Sequence, residues 1–205
     1  MIWSKTANRV RTERTALAPS GERDLLSRVG DQDAAAFETL YKMYQPRLVR
    51  FLATVLQRSQ LVEEVLDDTM MTVWRSAANF RGASKPSTWI FAIAYRKAIK
   101  ARARWPEPQE DEEFDTRVDP DPRADERLQH QKLGDALRRA MEQLSPEHRA
   151  VVDLTYFHGL HYRDIADIVD CPVDTVKTRM FHARRRLRAA MPGNFQDWMW
   201  SEDDG

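Results

Sequence analysis

Cysteine is almost missing from this 205-residue sequence, where Cys171 stands alone. A lone thiol excludes an intramolecular disulfide and a cysteine-based metal site, and a reducing cytoplasm is the simplest expected compartment. Long apolar runs are missing too. The longest, WIFAIAY at 89–95, falls far short of the roughly 20 residues that a membrane-spanning helix needs, so no membrane association is expected. The opening stretch MIWSKTANRVRTERT has basic residues with no apolar core after them and is not expected to be a secretory signal. No Ser/His/Asp set, Walker sequence or Gly-rich phosphate loop appears, so neither catalytic residues nor a cofactor are expected. His158 and His161 lie three apart and His182 lies further on, but no cysteine or carboxylate cluster completes a metal site.

Net charge is the last absence: 32 Lys and Arg balance 32 Asp and Glu. The balance hides blocks. Residues 81–105 hold seven Lys or Arg and no acid. Residues 106–126 hold ten acids against two arginines, a net of −8, and residues 171–191 hold six bases against Asp174, a net of +5. Two basic segments flanking an acidic one point to two contacts with a polyanion. The blander reading of any one run is a solvated face. A stretch of 25 residues without a single acid argues against it.

With 42% hydrophobic and 31% charged residues, the chain has enough apolar surface to fold. The patterning predicts an all-α protein of two small helical domains joined by an acidic flexible linker. The linker is residues 106–127, where four prolines remove backbone donors and like charges extend the chain. It reads either as a plain spacer or as an acidic strand that occupies a basic nucleic-acid channel on a partner.

In the first domain, Phe37, Leu40, Tyr41, Tyr44, Leu48, Phe51, Leu52 and Val55 follow helical spacing, with Pro46 expected to kink or split the helix. A second helix is predicted from about residue 61 to 78. Glu63, Glu64, Asp67 and Asp68 fall in its early turns, which suits the helix dipole and also makes a compact patch for a basic partner. Ser87 is a candidate cap for a following helix, TWIFAIAYRKAIKARAR. There Trp89, Ile90, Ile93 and Ala94 can pack inward while Lys97, Lys100, Arg102 and Arg104 reach outward. Aromatics beside a basic helix suit single-stranded nucleic acid. Trp74 reads first as a core aromatic.

The second domain reads as four helices. Leu133, Leu137, Ala140, Met141 and Leu144 face one way. Ser145–Pro146 is a cap followed by a first-turn proline, and Val151, Val152, Leu154 and Tyr156 continue the apolar face. HYRDIADIV is a short helix, DCP a turn, and a last helix begins near Val173 or Asp174. On it Val176, Met180, Ala183, Leu187 and Met191 form one buried stripe. A short helix, a tight turn and a striped second helix make a helix-turn-helix arrangement, which places the start of its second helix in the major groove. Asp174, Thr175, Lys177, Thr178 and Arg179 then lie nearest base edges and phosphates, with His182 and Arg185 beside them. The later arginines supply salt-dependent phosphate attraction.

The order of these parts resembles the extracytoplasmic-function sigma factors of bacterial RNA polymerase. FETLYKMYQPRLVRFL is similar to the start of their region 2, and VEEVLDDTMMTVWRSAANFRG to the segment that docks on the polymerase clamp helices. STWIFAIAYRKAIKARAR is similar to their promoter-melting segment, and the stretch from LSPEHR to ARRRLR resembles region 4. The match runs over about residues 24–191. It implies an N-terminal extension at 1–23, region 2 at 24–105, the linker at 106–127, region 4 at 128–191 and a C-terminal tail at 192–205.

The resemblance implies a non-enzymatic initiation factor that binds core RNA polymerase at its clamp helices and flap, directs it to promoter DNA and helps open the duplex. It assigns docking to Glu63, Glu64, Asp67, Asp68 and Trp74. It assigns −10 recognition and melting to Asn79, Phe80, Arg81, Ser84, Lys85, Trp89, Arg96, Lys97 and Lys100, with the 79–87 loop holding a flipped base. The −35 element falls to the helix-turn-helix. Many relatives are held inactive by an anti-sigma factor, so such a factor or another regulator is a further expected partner. Four positions depart from the family pattern. Arg96 and Lys100 stand where Asn and Asp are usual, Asp67 replaces a usual Gln, and Asp170 takes the place of a turn glycine, which predicts a left-handed backbone there. The competing reading is an autonomous helix-turn-helix regulator, which leaves the acidic patch and the acid-free aromatic-basic segment without a role. A third reading is a regulatory protein that sequesters the polymerase without initiating.

Overall fold

The computed structural model describes residues 19–104 and 134–190. The linker, most of the N-terminal extension, the C-terminal tail, Leu133 and Met191 lie outside the described residues. Within them the secondary structure is helical: α1 Pro19–Gly30, α2 Ala34–Leu56, α3 Ser59–Ser76, a 3-10 turn Ala77–Asn79, α4 Pro86–Arg104, α5 at 134–142, α6 Pro146–Tyr156, α7 Tyr162–Val169 and α8 Val173–Ala190. No strand occurs among the described residues.

Helices α1 to α4 pack on one another around Leu40, Tyr44, Leu48, Phe51, Leu52, Val55, Met70 and Val73, all buried. Asp33 starts α2 by accepting the backbone N–H groups of Ala35 and Ala36, which relieves two of the four unpaired donors at a helix start. Those bonds, first that from Ala36, and the bond from Arg28 hold the Asp33 carboxyl below its ordinary pKa. Pro46 does not split α2, which runs unbroken to Leu56. Pro46 and Lys42, whose carbonyl loses its donor, both sit on the solvent face, where water can replace the bond. Gly30 closes the domain. A Cβ there would stand 3.0 Å from the Ala78 backbone nitrogen, so a side chain at this position would push α1 away from the turn that carries Asn79, and glycine allows the close approach.

Two expected caps differ. Ser87 is not the cap of α4 but lies buried inside its first turn, and Lys85 accepts the first intrahelical bond from Trp89. Pro86 takes the first helical position, where its missing N–H costs nothing. Helix α3 begins at Ser59, earlier than expected, so Glu63 and Glu64 fall in its second turn and Asp67 and Asp68 in its third. The terminal dipole fades within the first turn and does not account for these four acids.

In the second domain Ser145 caps α6 by accepting from the His148 backbone N–H, with Pro146 at the first helical position. Val176, Met180, Ala183 and Leu187 are buried, as the stripe predicts. Tyr156, expected inside, is exposed and accepts from Arg184 Nε at 3.1 Å through its hydroxyl. Asp170 ends α7 at φ 52° and ψ 57°, the left-handed conformation expected of it. Replacing it with a β-branched residue there is disfavoured by crowding at positive φ. Asp170→Val is expected to lower unfolding free energy by about 1–2 kcal/mol, with Asp170→Gly at least as stable as the native chain in urea titrations.

The two domains pack together. Helix α4 meets α7 and α2 meets α6. Helix α4 is therefore covered on two sides, and the unbroken run Ile90, Phe91, Ala92, Ile93, Ala94 and Tyr95 is buried.

Candidate nucleic-acid interface

The last two helices carry the basic face. Ile165, Ala166, Ile168 and Val169 of α7 are buried, and Ala166 accepts the Cys171 N–H at 3.1 Å, which draws the chain into the turn. Pro172 then accepts from Thr175 and Val176 to open α8. Of the predicted contact residues, Asp174, Lys177, Thr178, His182 and Arg185 are exposed and share a face at three-and-four spacing. Thr175 and Arg179 are half-buried, and Arg179 turns toward the interhelical turn, 3.7 Å from the Cys171 sulfur. Lys177 pairs with Asp174 at 3.3 Å, an exposed pair that contributes little to stability. Arg186 donates to the Gln143 carbonyl at 3.4 Å. One residue of this face escaped the sequence reading. Phe181 is 63% exposed and sits edge-on to His182. Its signal was present: an aromatic one position off the buried stripe.

The basic segment of α4 is arranged differently from expectation. Asn79, Arg81, Arg96 and Lys100 are exposed. Phe80 and Trp89 are half-buried, with ring centroids 5.3 Å apart, and together they brace the loop that holds Gly82 at φ 73°. Ser84 is half-buried in that loop. Lys85 reaches the second domain, with Nζ 2.8 Å from the Asp164 carboxylate on α7. Lys97 is 3.4 Å from Asp68, so the basic segment touches the acidic patch.

That patch is open. Glu63, Glu64, Asp67 and Asp68 are all exposed, one helical turn apart in pairs on α3. Asp67 accepts from the Tyr41 hydroxyl at 3.3 Å. Burial first, and then the Asp67 charge, push that hydroxyl's pKa up. Trp74 is half-buried with its ring 5.0 Å from Phe37, partly the core aromatic that was expected. Met71, 42% exposed, adds an apolar knob beside the carboxylates, and the sequence reading missed it. Its neighbour Met70 supplies the buried stripe and leaves Met71 facing out.

Comparison with known proteins now decides the family. Residues 40–105 match the sigma-70 region 2 family model and residues 134–187 match sigma-70, region 4. The ECF RNA polymerase sigma-E factor of Haemophilus influenzae is 31% identical, with 81% of this chain and 93% of that protein covered. The chain belongs to the extracytoplasmic-function sigma factors. RNA polymerase sigma-H factor of Pseudomonas aeruginosa is 29% identical over 85% of this sigma factor and 96% of the relative. The fold is shared with CnrH, solved in complex with the cytosolic domain of CnrY, at TM-score 0.60 and 21% identity over 82% of this chain and 95% of that one. It is also shared with the Bartonella quintana sigma factor RpoE, solved with the anti-sigma factor NepR, at TM-score 0.55 and 23% identity over 75% and 95% of the two chains. The acidic patch and the basic segment of this sigma factor lie within the region 2 match, and the helix-turn-helix lies within region 4. Among the described residues no helix is long and apolar enough to cross a membrane, and no group of three or more His, Cys, Asp or Glu is placed to hold a metal ion.

Proposed function

We propose that this sigma factor binds core RNA polymerase, carries it to specific promoters and takes part in opening them, with no catalytic activity of its own. One observation carries the reading. A single chain presents an exposed carboxylate patch, an acid-free segment with braced aromatics, and a helix-turn-helix with an exposed basic face, in the family's order. The patch of Glu63, Glu64, Asp67 and Asp68, with Met71 and Trp74, docks on the polymerase clamp helices. The loop and α4, through Asn79, Phe80, Arg81, Ser84, Lys85, Trp89, Arg96, Lys97 and Lys100, take the −10 strand by stacking and phosphate contact. The α8 face of Asp174, Lys177, Thr178, His182 and Arg185 reads the −35 duplex, with Thr175 and Arg179 supporting its start. The protein works in the cytoplasm, where the polymerase is, and an anti-sigma factor or another regulator is a further partner.

The test is promoter opening. Holoenzyme reconstituted from purified core and this chain is expected to make thymines near −10 reactive to permanganate, and core alone is not. Lack of reactivity despite stable core binding would remove the melting role. A quantitative check concerns α8. Lys177→Ala with Arg185→Ala removes two phosphate contacts and should lower the slope of log K against log salt by about 2 for region 4 duplex binding. An unchanged slope would place the −35 contact elsewhere.

A further inference from the structure

One acid stands on the basic face of α8. Residues 171–191 hold six bases and a single acid, Asp174, and its side chain is 91% exposed. It lies one turn ahead of Lys177 and Thr178, on the face that continues to His182 and Arg185. Two structural roles are open to an acid in a first turn. The first is capping, and Asp174 does not cap. Helix α8 opens on the Pro172 carbonyl, which accepts from Thr175 and Val176. Asp33, by contrast, opens α2 with two backbone N–H groups on its carboxylate. The second role is to complement the helix dipole, which favours a negative charge on any side of the first turn. The dipole therefore does not explain why the acid shares the face of the bases. Among the described residues the Asp174 carboxylate has one partner, the Lys177 ammonium at 3.3 Å. The Thr178 hydroxyl donates to the backbone carbonyl of Asp174 at 2.9 Å and does not engage the carboxylate.

Charge and place disagree unless the acid finds a partner in the DNA. An acid within a Debye length of the phosphate backbone, about 8–10 Å at moderate salt, weakens binding. Yet the N-terminal part of the second helix of a helix-turn-helix is the part that meets base edges in the major groove, and Asp174 is the second residue of α8. An ionised carboxylate only accepts hydrogen bonds. Along the major groove guanine and thymine show it acceptors, and adenine sets its N7 acceptor beside its N6 donor. Cytosine alone presents a donor, its N4 amino group, with no acceptor of its own. We propose that Asp174 determines specificity in the −35 contact by accepting a hydrogen bond from the N4 amino group of one cytosine. The same carboxylate repels guanine and thymine at that position. Lys177, beside it, offsets the charge that the carboxylate brings to the phosphates. The inference deepens the promoter-specificity reading and rests on it, since it names the base that one residue of the α8 face selects.

The experiment uses the full chain, native and with Asp174→Ala or Asp174→Asn, to select duplexes with a randomised centre at one fixed low salt concentration, and sequences the bound fraction. The native protein is expected to enrich cytosine at one position by about 5- to 30-fold, the discrimination of a single good base contact. Asp174→Ala should lose that preference and keep the others. It should also bind mixed-sequence duplex about 2- to 5-fold more tightly, because the exposed pair is gone and Lys177 is released to phosphate. Asp174→Asn should move the preference at the same position from cytosine to adenine, since an amide pairs with adenine N6 and N7 together. A merely structural acid predicts neither the loss at one position nor the exchange of bases. If the native chain enriches no cytosine, or if Asp174→Ala keeps every native preference, Asp174 reads no base. If Asp174→Ala blurs all positions alike, the residue acts on the form of α8 and the inference is overturned. Transcription by purified core polymerase with the same three proteins separates the two readings: failure of every protein to direct core to a promoter overturns the promoter-specificity reading, while the selected duplexes still decide the base contact.

Discussion

Glu63→Lys combined with Glu64→Lys is expected to weaken core polymerase binding about 100-fold and to abolish transcription by the reconstituted holoenzyme. Both side chains are exposed on α3, so the helix keeps its buried stripe of Val62, Val65, Leu66, Thr69, Met70 and Val73. Helix content and the urea midpoint should therefore hold within about 0.5 kcal/mol, the usual range for surface changes away from caps and packing. The effect lies in the interface. Reversing two charges that meet a basic surface replaces attraction by repulsion, and truncating even one partner of a desolvated interfacial charge pair costs about 2–5 kcal/mol. A loss of about 2.7 kcal/mol is a factor of 100. Single-strand binding by the free protein serves as the control and should not weaken, since the added positive charge favours a polyanion. Titration of labelled core with the variant and the native chain checks the number, and equal affinities would show that α3 is not the docking face.

The largest expected effect on stability is at Phe91. Its ring is fully buried and meets Phe51 edge-on at 5.3 Å and His158 at 4.6 Å. It therefore belongs to both domains at once. Truncating a buried phenylalanine removes its transfer free energy and leaves a cavity that the surroundings only partly fill, a cost of about 3–5 kcal/mol. Against the 5–15 kcal/mol that hold a typical protein together, Phe91→Ala should bring the chain close to unfolding at 37 °C. Phe91→Leu keeps most of the volume and should cost about 1–1.5 kcal/mol. Urea unfolding at 25 °C measures both. A cost for Phe91→Ala below about 1 kcal/mol would mean that the site is neither buried nor tightly packed.

The sequence carried the parts of the fold whose cause is local. Ser145–Pro146 opens α6 as expected because cap and proline act within one turn. The stripe from Val176 to Leu187 is buried because period alone places it. Asp170 is left-handed because it caps α7 at the start of a three-residue turn, a place that commonly takes the left-handed conformation and that Asp tolerates. What escaped depends on neighbours far along the chain. The run Ile90 to Tyr95 has no single apolar face, and only the closure of α7 over α4 explains its burial. Tyr156 looked like core and is instead exposed, its hydroxyl bonded by Arg184. His158 read as an unremarkable histidine. Its partner Asp153 lies five residues back, and the rings that enclose it come from residues 51 and 91. Among the site residues, the sequence placed the acidic patch and the α8 face correctly on the surface. It gave no sign that Lys85 and Lys97 are engaged by Asp164 and Asp68, because ion pairs 79 and 29 residues apart have no local signature.

The central claim is that one chain couples core polymerase to two promoter elements. Transcription from a library of randomised upstream sequences, driven by purified core and the full-length protein, tests it most directly. The account predicts that transcripts appear only when the protein is added and that their templates share two sequence blocks, near −35 and near −10. Lys177→Ala should lower transcription from all the selected templates and leave both blocks unchanged. If the protein fails to bind core and instead selects a duplex sequence by itself, it is an autonomous helix-turn-helix regulator and the account is wrong.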